Sequence, residues 1–249
     1  MRAAVQDVSP FCYKRRVTQT GIPVFWYRAI QDVRHDGNCF FLAHEFFDAL
    51  PVHQFQKTDQ GWREVLVDVL PEKGSSQLRF VLAPGPTLTS QTLVPQGTSW
   101  NQIEVCPQGG AVVEHMSEAI AEHGGCALIV DYGEDVSKRH TLRAFKKHKL
   151  HDVLEDPGNA DVTANVDFSY LRKATRGKVQ SFGPVTQSSF LHQMGIDTRM
   201  KVLLENADSS QAEQLRSGYR MLTSAAEMGE KFKCFSLVQH GLPEPAAFR

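Results

Sequence analysis

His44, Glu45 and Asp48 are spaced as H-E-x-x-D, one substitution from the H-E-x-x-H pattern in which two imidazoles a helical turn apart hold a zinc ion. The carboxylate at position 48 removes the second imidazole, and no later His or Glu completes a metal set at a suitable spacing. A metal-dependent hydrolase would therefore rest on His44 and Glu45 alone. The G-x-S-x-G nucleophile elbow and the G-x-x-x-x-G-K-[ST] phosphate loop are both absent, which removes the commonest hydrolase and nucleotide-cradling signatures. Glu45, Asp48 and Asp131 remain. Carboxylates with neither a cysteine nor a metal beside them suit the orientation of an amine or guanidinium, or general-base work. The competing reading is that Glu45 caps a helix and Asp131 fixes a turn, and the residue types leave both open.

These carboxylates follow two apolar runs. Residues 38–43, preceded by Asp36-Gly37, predict a fully buried strand of the parallel kind. Residues 126–130 predict a second, running into Asp131-Tyr-Gly-Glu-Asp135. Between them, residues 110–123 predict a helix with Val112, Val113, Met116, Ala119 and Ile120 on one buried face, stopped by Gly124-Gly125 as a left-handed C-cap. Strand, crossover and strand with polar residues at both carboxyl ends describe an α/β sheet, whose neighbouring strand ends open on one crevice.

Residues 52–84 instead alternate with a period of two and predict an antiparallel meander: strands 52–58, 62–70 and 78–82, with turns at 59–61 and 73–76. The Pro-, Gly-, Ser- and Thr-rich stretch 83–100 predicts an exposed loop, after which order returns at residues 103–106. From 138 to 167 basic residues precede acidic ones, the pattern of a solvated face. Asp167 is placed to cap a helix over 168–175 ended by Gly177. A strand at 179–185, one or two helices between 188 and 223, and a strand at 232–239 complete the chain.

The 249 residues suffice for one large domain or two small ones, with 41% apolar and 22% charged residues in an ordinary globular mixture. Twenty-seven Lys and Arg against 28 Asp and Glu leave a net charge of −1, so no global field favours nucleic acid or an acidic membrane. Five scattered cysteines without a C-x-x-C pair argue against a disulfide framework or zinc module and for a reducing compartment. No apolar run is long enough for a transmembrane helix. Residues 1–16 carry Arg2, Lys14, Arg15 and Arg16, but Asp7 and Pro10 interrupt any amphipathic face, which makes a poor transit peptide and no secretory signal.

From His44-Glu-Phe-Phe-Asp-Ala-Leu-Pro-Val-His-Gln-Phe55 onward the match to a family is specific. Asp131-Tyr-Gly133, Thr141-Leu-Arg-Ala-Phe145, His148-Lys-Leu-His-Asp152, Pro157-Gly158 and Asp161-Val-Thr-Ala-Asn-Val-Asp-Phe168 follow in order. With these motifs, from about residue 18 to 239, the chain resembles the MidA-like mitochondrial family of S-adenosylmethionine-dependent protein arginine methyltransferases that assist respiratory complex I assembly. The resemblance implies a class I, Rossmann-like methyltransferase sheet with residues 52–100 inserted after the fourth strand. It also implies symmetric dimethylation of an arginine on a complex I subunit, in the mitochondrion and without metal.

On that map residues 38–43 are the fourth strand, 126–130 the fifth, 179–185 the sixth and 232–239 the antiparallel seventh. His44 and Phe46 are implied beside the cofactor, Glu45, Asp48 and Asp161 as catalytic carboxylates, and Asp131 and Thr163 on the substrate side.

The sequence departs from the family pattern ahead of these motifs. An E-x-G-x-G-x-G cofactor loop and the acidic residue that holds the cofactor ribose do not occur in residues 1–37, which resemble the connection just upstream of the fourth strand. The expectation is a carboxyl-terminal part of the methyltransferase domain over 38–249, a shortened form whose fourth strand is an apolar edge open to a partner. Such a chain would bind S-adenosylmethionine weakly or not at all, and the alternative to an enzyme is a non-catalytic binding or assembly protein.

Overall fold

The computed structural model describes residues 9–71, 77–136 and 139–249. Half of the stretch 1–16 read as a poor transit peptide, the turn foreseen at 73–76 and Lys138 lie outside the described residues. An antiparallel hairpin of β1 (Lys14–Val17) and β2 (Pro23–Trp26) leads into β3 (Cys39–His44). The chain then forms an antiparallel sheet of β4 (His53–Thr58), β5 (Gly61–Val69) and β6 (Leu78–Leu82), with α1 (Leu88–Leu93) and β7 (Gln102–Val105) following. Its order is β6-β5-β4-β7, so the expected meander is present and residues 102–105 close it on the far side of β4.

The stretch 83–100 is not all loop. Thr87 and Ser90 form a capping box, each side chain bonding the other's main chain, and start α1 although the segment has no apolar period.

Helix α2 (Pro107–His123) crosses to β8 (Gly125–Glu134) and buries the predicted face of Val112, Val113, Met116, Ala119 and Ile120. Pro107 sits at its first turn, where a missing N–H costs nothing. Gly124 ends it with a positive φ of 82° but a ψ of 173°, an extended mirror conformation and not the left-handed helical cap.

Residues 139–167, read as a solvated face, hold a three-stranded sheet of β9 (Arg143–Lys146), β10 (Lys149–His151) and β11 (Asp161–Thr163), followed by the short β12 (Val166–Asp167). The β9–β10 turn uses Lys147 and His148 at positive φ, where sequence signals lead one to expect Asn or Gly. Asp167 caps α3 (Phe168–Ala174) as predicted, accepting the Tyr170 N–H at 2.9 Å. Strand β13 (Gln180–Thr186) precedes three helices, α4 (Gln187–Gln193), α5 (Ile196–Glu205) and α6 (Ser209–Thr223), one more than foreseen. The short α7 (Met228–Lys231) then leads into β14 (Phe232–Val238).

The central sheet forks. Strand β14 runs antiparallel along Cys126–Tyr132 on one edge of β8, with β13 beyond it. On the other edge β3 pairs in parallel with Gly125–Val130 only, and β12 takes over in parallel at Gly133 and Glu134. Gly133 suits this close approach, because a Cβ there would lie 2.1 Å from the Val166 carbonyl oxygen.

One face of the sheet, with Ala43, Ala127, Ile129, Phe235 and Leu237, packs on α2 and on Phe168 and Leu171 of α3. Each large side chain so buried contributes on the order of 1.5–3 kcal/mol. The other face of β3 is open: Phe40 is 76% and Leu42 73% exposed, so the strand predicted as fully buried is covered on one face only. Its outer edge has no strand partner among the described residues. No helix of the described residues is long and apolar enough to cross a membrane.

Candidate active site

The site grows from the fork. The last ladder bond of β3 is Glu45 N–H to the Val130 carbonyl, 3.0 Å, after which Glu45 takes a left-handed φ of 48° and turns the chain off the sheet. A non-glycine residue held there costs on the order of 1 kcal/mol, and such strain concentrates where a chain serves a site. The gap between β3 and β12 leaves the N–H groups of Phe46, Phe47 and Asp48 without strand partners, and Asp131 Oδ2 accepts all three, at 3.2, 3.0 and 3.3 Å. Its Oδ1 accepts the Tyr132 N–H at 3.0 Å.

Asp131 is wholly buried. Of the two readings left open for it, the structure shows the turn-fixing one: both oxygens are spent on main chain, and Asp131 lies beneath the site instead of on its substrate wall. Burial, and then the negative charge of Asp48, push its pKa up to about 7 against the pull of the main-chain donors.

The pinned turn sends alternate side chains into two clefts. Glu45 and Asp48 line one of about 1040 Å³, together with Tyr132, Arg143, Asp161 and Thr163. His44 and Phe46 line another of about 770 Å³, walled by residues 25–31, Phe41 and Met116. Glu45, Asp48, Asp161 and Thr163 therefore all line the first cleft, and His44 and Phe46 line the second. His44 and Glu45 still approach to 3.7 Å at the divide. The H-E-x-x-D residues do not converge on one point.

In the first cleft Asp48, 8% exposed, accepts the Thr163 hydroxyl at Oδ2 at 2.7 Å and the Tyr132 hydroxyl at the same oxygen. Its Oδ1 has no partner. That oxygen is itself buried, so a donor pairs with it only by reaching in from the cleft past the neighbouring side chains. Burial and the bond to Asp48 hold Tyr132 protonated, its pKa above the ordinary phenol value. Arg143 lies over the Tyr132 ring, 4.9 Å from its centroid, and is held by Asn165 Oδ1 at 2.7 Å and the Thr141 carbonyl at 3.1 Å. Buried Glu104 fixes Thr141 in turn, accepting its hydroxyl at 2.5 Å and its N–H at 3.1 Å.

Tyr132, Arg143, Asn165 and Glu104 are the functional-site residues that sequence reasoning missed. The first three stand in the quoted motifs, which was the one available signal; Glu104 carries none. Asp161 is exposed at the rim, paired in the β-ladder with Phe145.

Comparison with known proteins fits this geometry. Residues 4–185 match a family model described as "Putative S-adenosyl-L-methionine-dependent methyltransferase". The protein named mitochondrial protein arginine methyltransferase NDUFAF7 of Danio rerio is 53% identical over 226 residues, 91% of this chain and 53% of the relative. The Homo sapiens protein of that name is 52% identical over 229 residues, 92% and 51% respectively. The chain thus spans about half the length of the curated relatives it matches.

Two solved structures from Burkholderia thailandensis share the fold. An uncharacterized COG1565 superfamily protein aligns with a TM-score of 0.71 at 24% identity, over 87% of this chain and 60% of that one. A likely methyl transferase of the same superfamily, bound to S-adenosyl-homocysteine, aligns with a TM-score of 0.69 at 25% identity, over 85% and 56%. By the extent of the family match, the chain belongs to this S-adenosyl-L-methionine-dependent methyltransferase family.

Proposed function

We propose that this chain supplies the arginine-holding side of a protein arginine methyltransferase. The observation that carries the reading is Asp48, nearly buried, with one oxygen fixed by Thr163 and Tyr132 and the other unpartnered, beside Glu45 in a cleft of about 1040 Å³. A guanidinium is a planar set of N–H donors, and two carboxylates on one wall fix its plane. Glu45, half exposed, is the group placed to take the proton that the nitrogen sheds and to pass it to solvent.

The second cleft fits one side of S-adenosylmethionine. His44, Phe46 and the half-buried aromatic residues Phe25, Trp26 and Tyr27 offer ring surface for an adenine and for a sulfonium, but no Asp or Glu of the described residues lines it to hold ribose hydroxyls. When bound, the cofactor supplies an electrophilic methyl group. The chain's part is to hold the acceptor across the divide made by residues 44–48.

The finer map belongs to the same reading: β3, β8, β13 and β14 as strands four to seven of a class I sheet, residues 52–100 as the insertion, 1–37 as upstream connection. So do the family expectations of symmetric dimethylation on a complex I subunit, mitochondrial residence, and a partner covering the open β3 edge. The relatives' names support the arginine chemistry and the residence.

Calorimetric titration of S-adenosylmethionine into the 249-residue chain is expected to give a Kd above about 100 μM, because no Asp or Glu of the described residues lines the second cleft. Micromolar affinity would contradict that half of the reading. The function itself is tested by mass spectrometry of an arginine peptide incubated with the chain and millimolar cofactor. Methylarginine is expected; a peptide that binds and leaves unmodified would favour the assembly-protein alternative, and methyl-lysine would refute the assignment.

A further inference from the structure

The large cleft is polarised across β8. His44 pairs with Val130 on the β3 side, with Glu45 the next residue as the chain leaves the sheet, while Cys234 pairs with Val130 and Lys233 with Asp131 from the β14 side. His44 and Cys234 thus flank Val130 at two strand spacings, about 10 Å backbone to backbone, and Glu45 and Lys233 are their chain neighbours. Both line the cleft, as does Lys231.

The ammonium groups of Lys231 and Lys233 bond to main-chain carbonyl oxygens, those of Ala226 and Glu230, which leaves their charges unneutralised by these contacts. Lys147 also lines the cleft, exposed at the β9–β10 turn, four residues or about 13 Å along the chain from Arg143 over Tyr132. His148 stands beside it in the lining, and Asp161 and Glu230 are the carboxylates at this end. Glu134 is 4.0 Å from Arg139. The Asp48 end holds two carboxylates of the lining, Glu45 and Asp48, against Arg143, whose bonds to Asn165 and Thr141 likewise leave its charge unneutralised.

Resting on the arginine-holding reading of Glu45 and Asp48, we infer that the cleft selects an arginine with an acidic side chain two to four residues away along the substrate. An extended peptide advances about 3.3 Å per residue, so that spacing spans the distance from the carboxylate wall to the lysines. Lys147, Lys231 and Lys233 are specificity-determining residues, since a like charge at that end is repelled and an opposite one is drawn in. Half-exposed pairs of this kind are worth about 1.5- to fivefold in affinity and weaken with salt.

The test is fluorescence polarisation with three labelled peptides, Gly-Gly-Arg-Gly-Gly-X-Gly with X as Glu, Gln or Lys. The Glu peptide is expected to bind about 1.5- to fivefold more tightly than Gln, and Lys least, with the spread narrowing in high salt. In the double variant Lys231→Glu/Lys233→Glu the order inverts. If that variant melts early, Lys147→Glu at the exposed turn carries the same test by a reduced preference for Glu. Equal affinity for all three peptides, with arginine still required, overturns the inference and leaves the arginine reading standing. No binding by any of them at millimolar concentration overturns both.

Discussion

Replacing Asp131 by alanine is expected to cost about 3–5 kcal/mol of folding stability, the largest loss of any single polar substitution in the site. Oδ2 of this one side chain accepts the N–H groups of three successive residues, and each buried donor left unpaired costs about 1–3 kcal/mol. The loss is local in origin and wide in effect, because the same turn holds Glu45 and Asp48 in one cleft and His44 and Phe46 in the other.

Asp131→Asn separates charge from shape. The native carboxyl titrates near 7 and the unfolded one near 3.8, so between those values the folded chain keeps a proton that the unfolded chain has released. This group's contribution to stability is therefore full at low pH, falls as pH rises from about 4 to about 7, and is level above. Urea unfolding of both proteins at pH 5 and 8 checks it: the wild-type advantage over the asparagine variant should shrink toward pH 8. An advantage that grows with pH would mean that the main-chain donors outweigh burial and hold the carboxylate ionised.

Asp48→Asn is expected to lower arginine-peptide methylation by at least about a hundredfold while leaving the fold intact. The amide oxygen can still accept from Thr163 and Tyr132, so the turn survives; the charge that a guanidinium would meet does not. A second consequence is independent of any substrate. Because the Asp48 charge helps to raise the Asp131 pKa, its removal should lower that pKa, readable in the carboxyl carbon shift of a labelled protein. A variant with unchanged methylation would leave Asp48 as a structural residue only.

Much of the sheet could be read from local pattern. Residues 38–43 and 126–130 are apolar runs of strand length, residues 110–123 keep one helical face, and Asp167 stands where a helix cap belongs; all four are strands, helix and cap in the structure. What local pattern could not carry is the fork. It depends on β12, two residues long, meeting β8 at Gly133, and its consequence for Asp131 joins positions 83 to 85 residues apart. The β9–β11 sheet was hidden for a different reason: its strands are three or four residues long, its turn uses Lys147 and His148 in place of Asn or Gly, and its interior is little more than Ala144. In the site, Glu45 and Asp48 could be singled out by type, but the partners that give Asp48 its orientation, Tyr132 and Thr163, lie 84 and 115 residues away and are joined only by the fold.

In the proposed function the turn at residues 44–48 divides a cofactor side from an arginine side. The most direct measurement is an amide-shift titration of the isotope-labelled chain, first with S-adenosyl-homocysteine at millimolar concentration, where weak binding still reports, and then with an arginine peptide. The nucleoside is expected to move resonances of residues 25–31, His44 and Phe46, and the peptide those of Glu45, Asp48, Tyr132 and Thr163. Shifts from both ligands in a single cleft, or an arginine peptide perturbing only the His44 side, would contradict it.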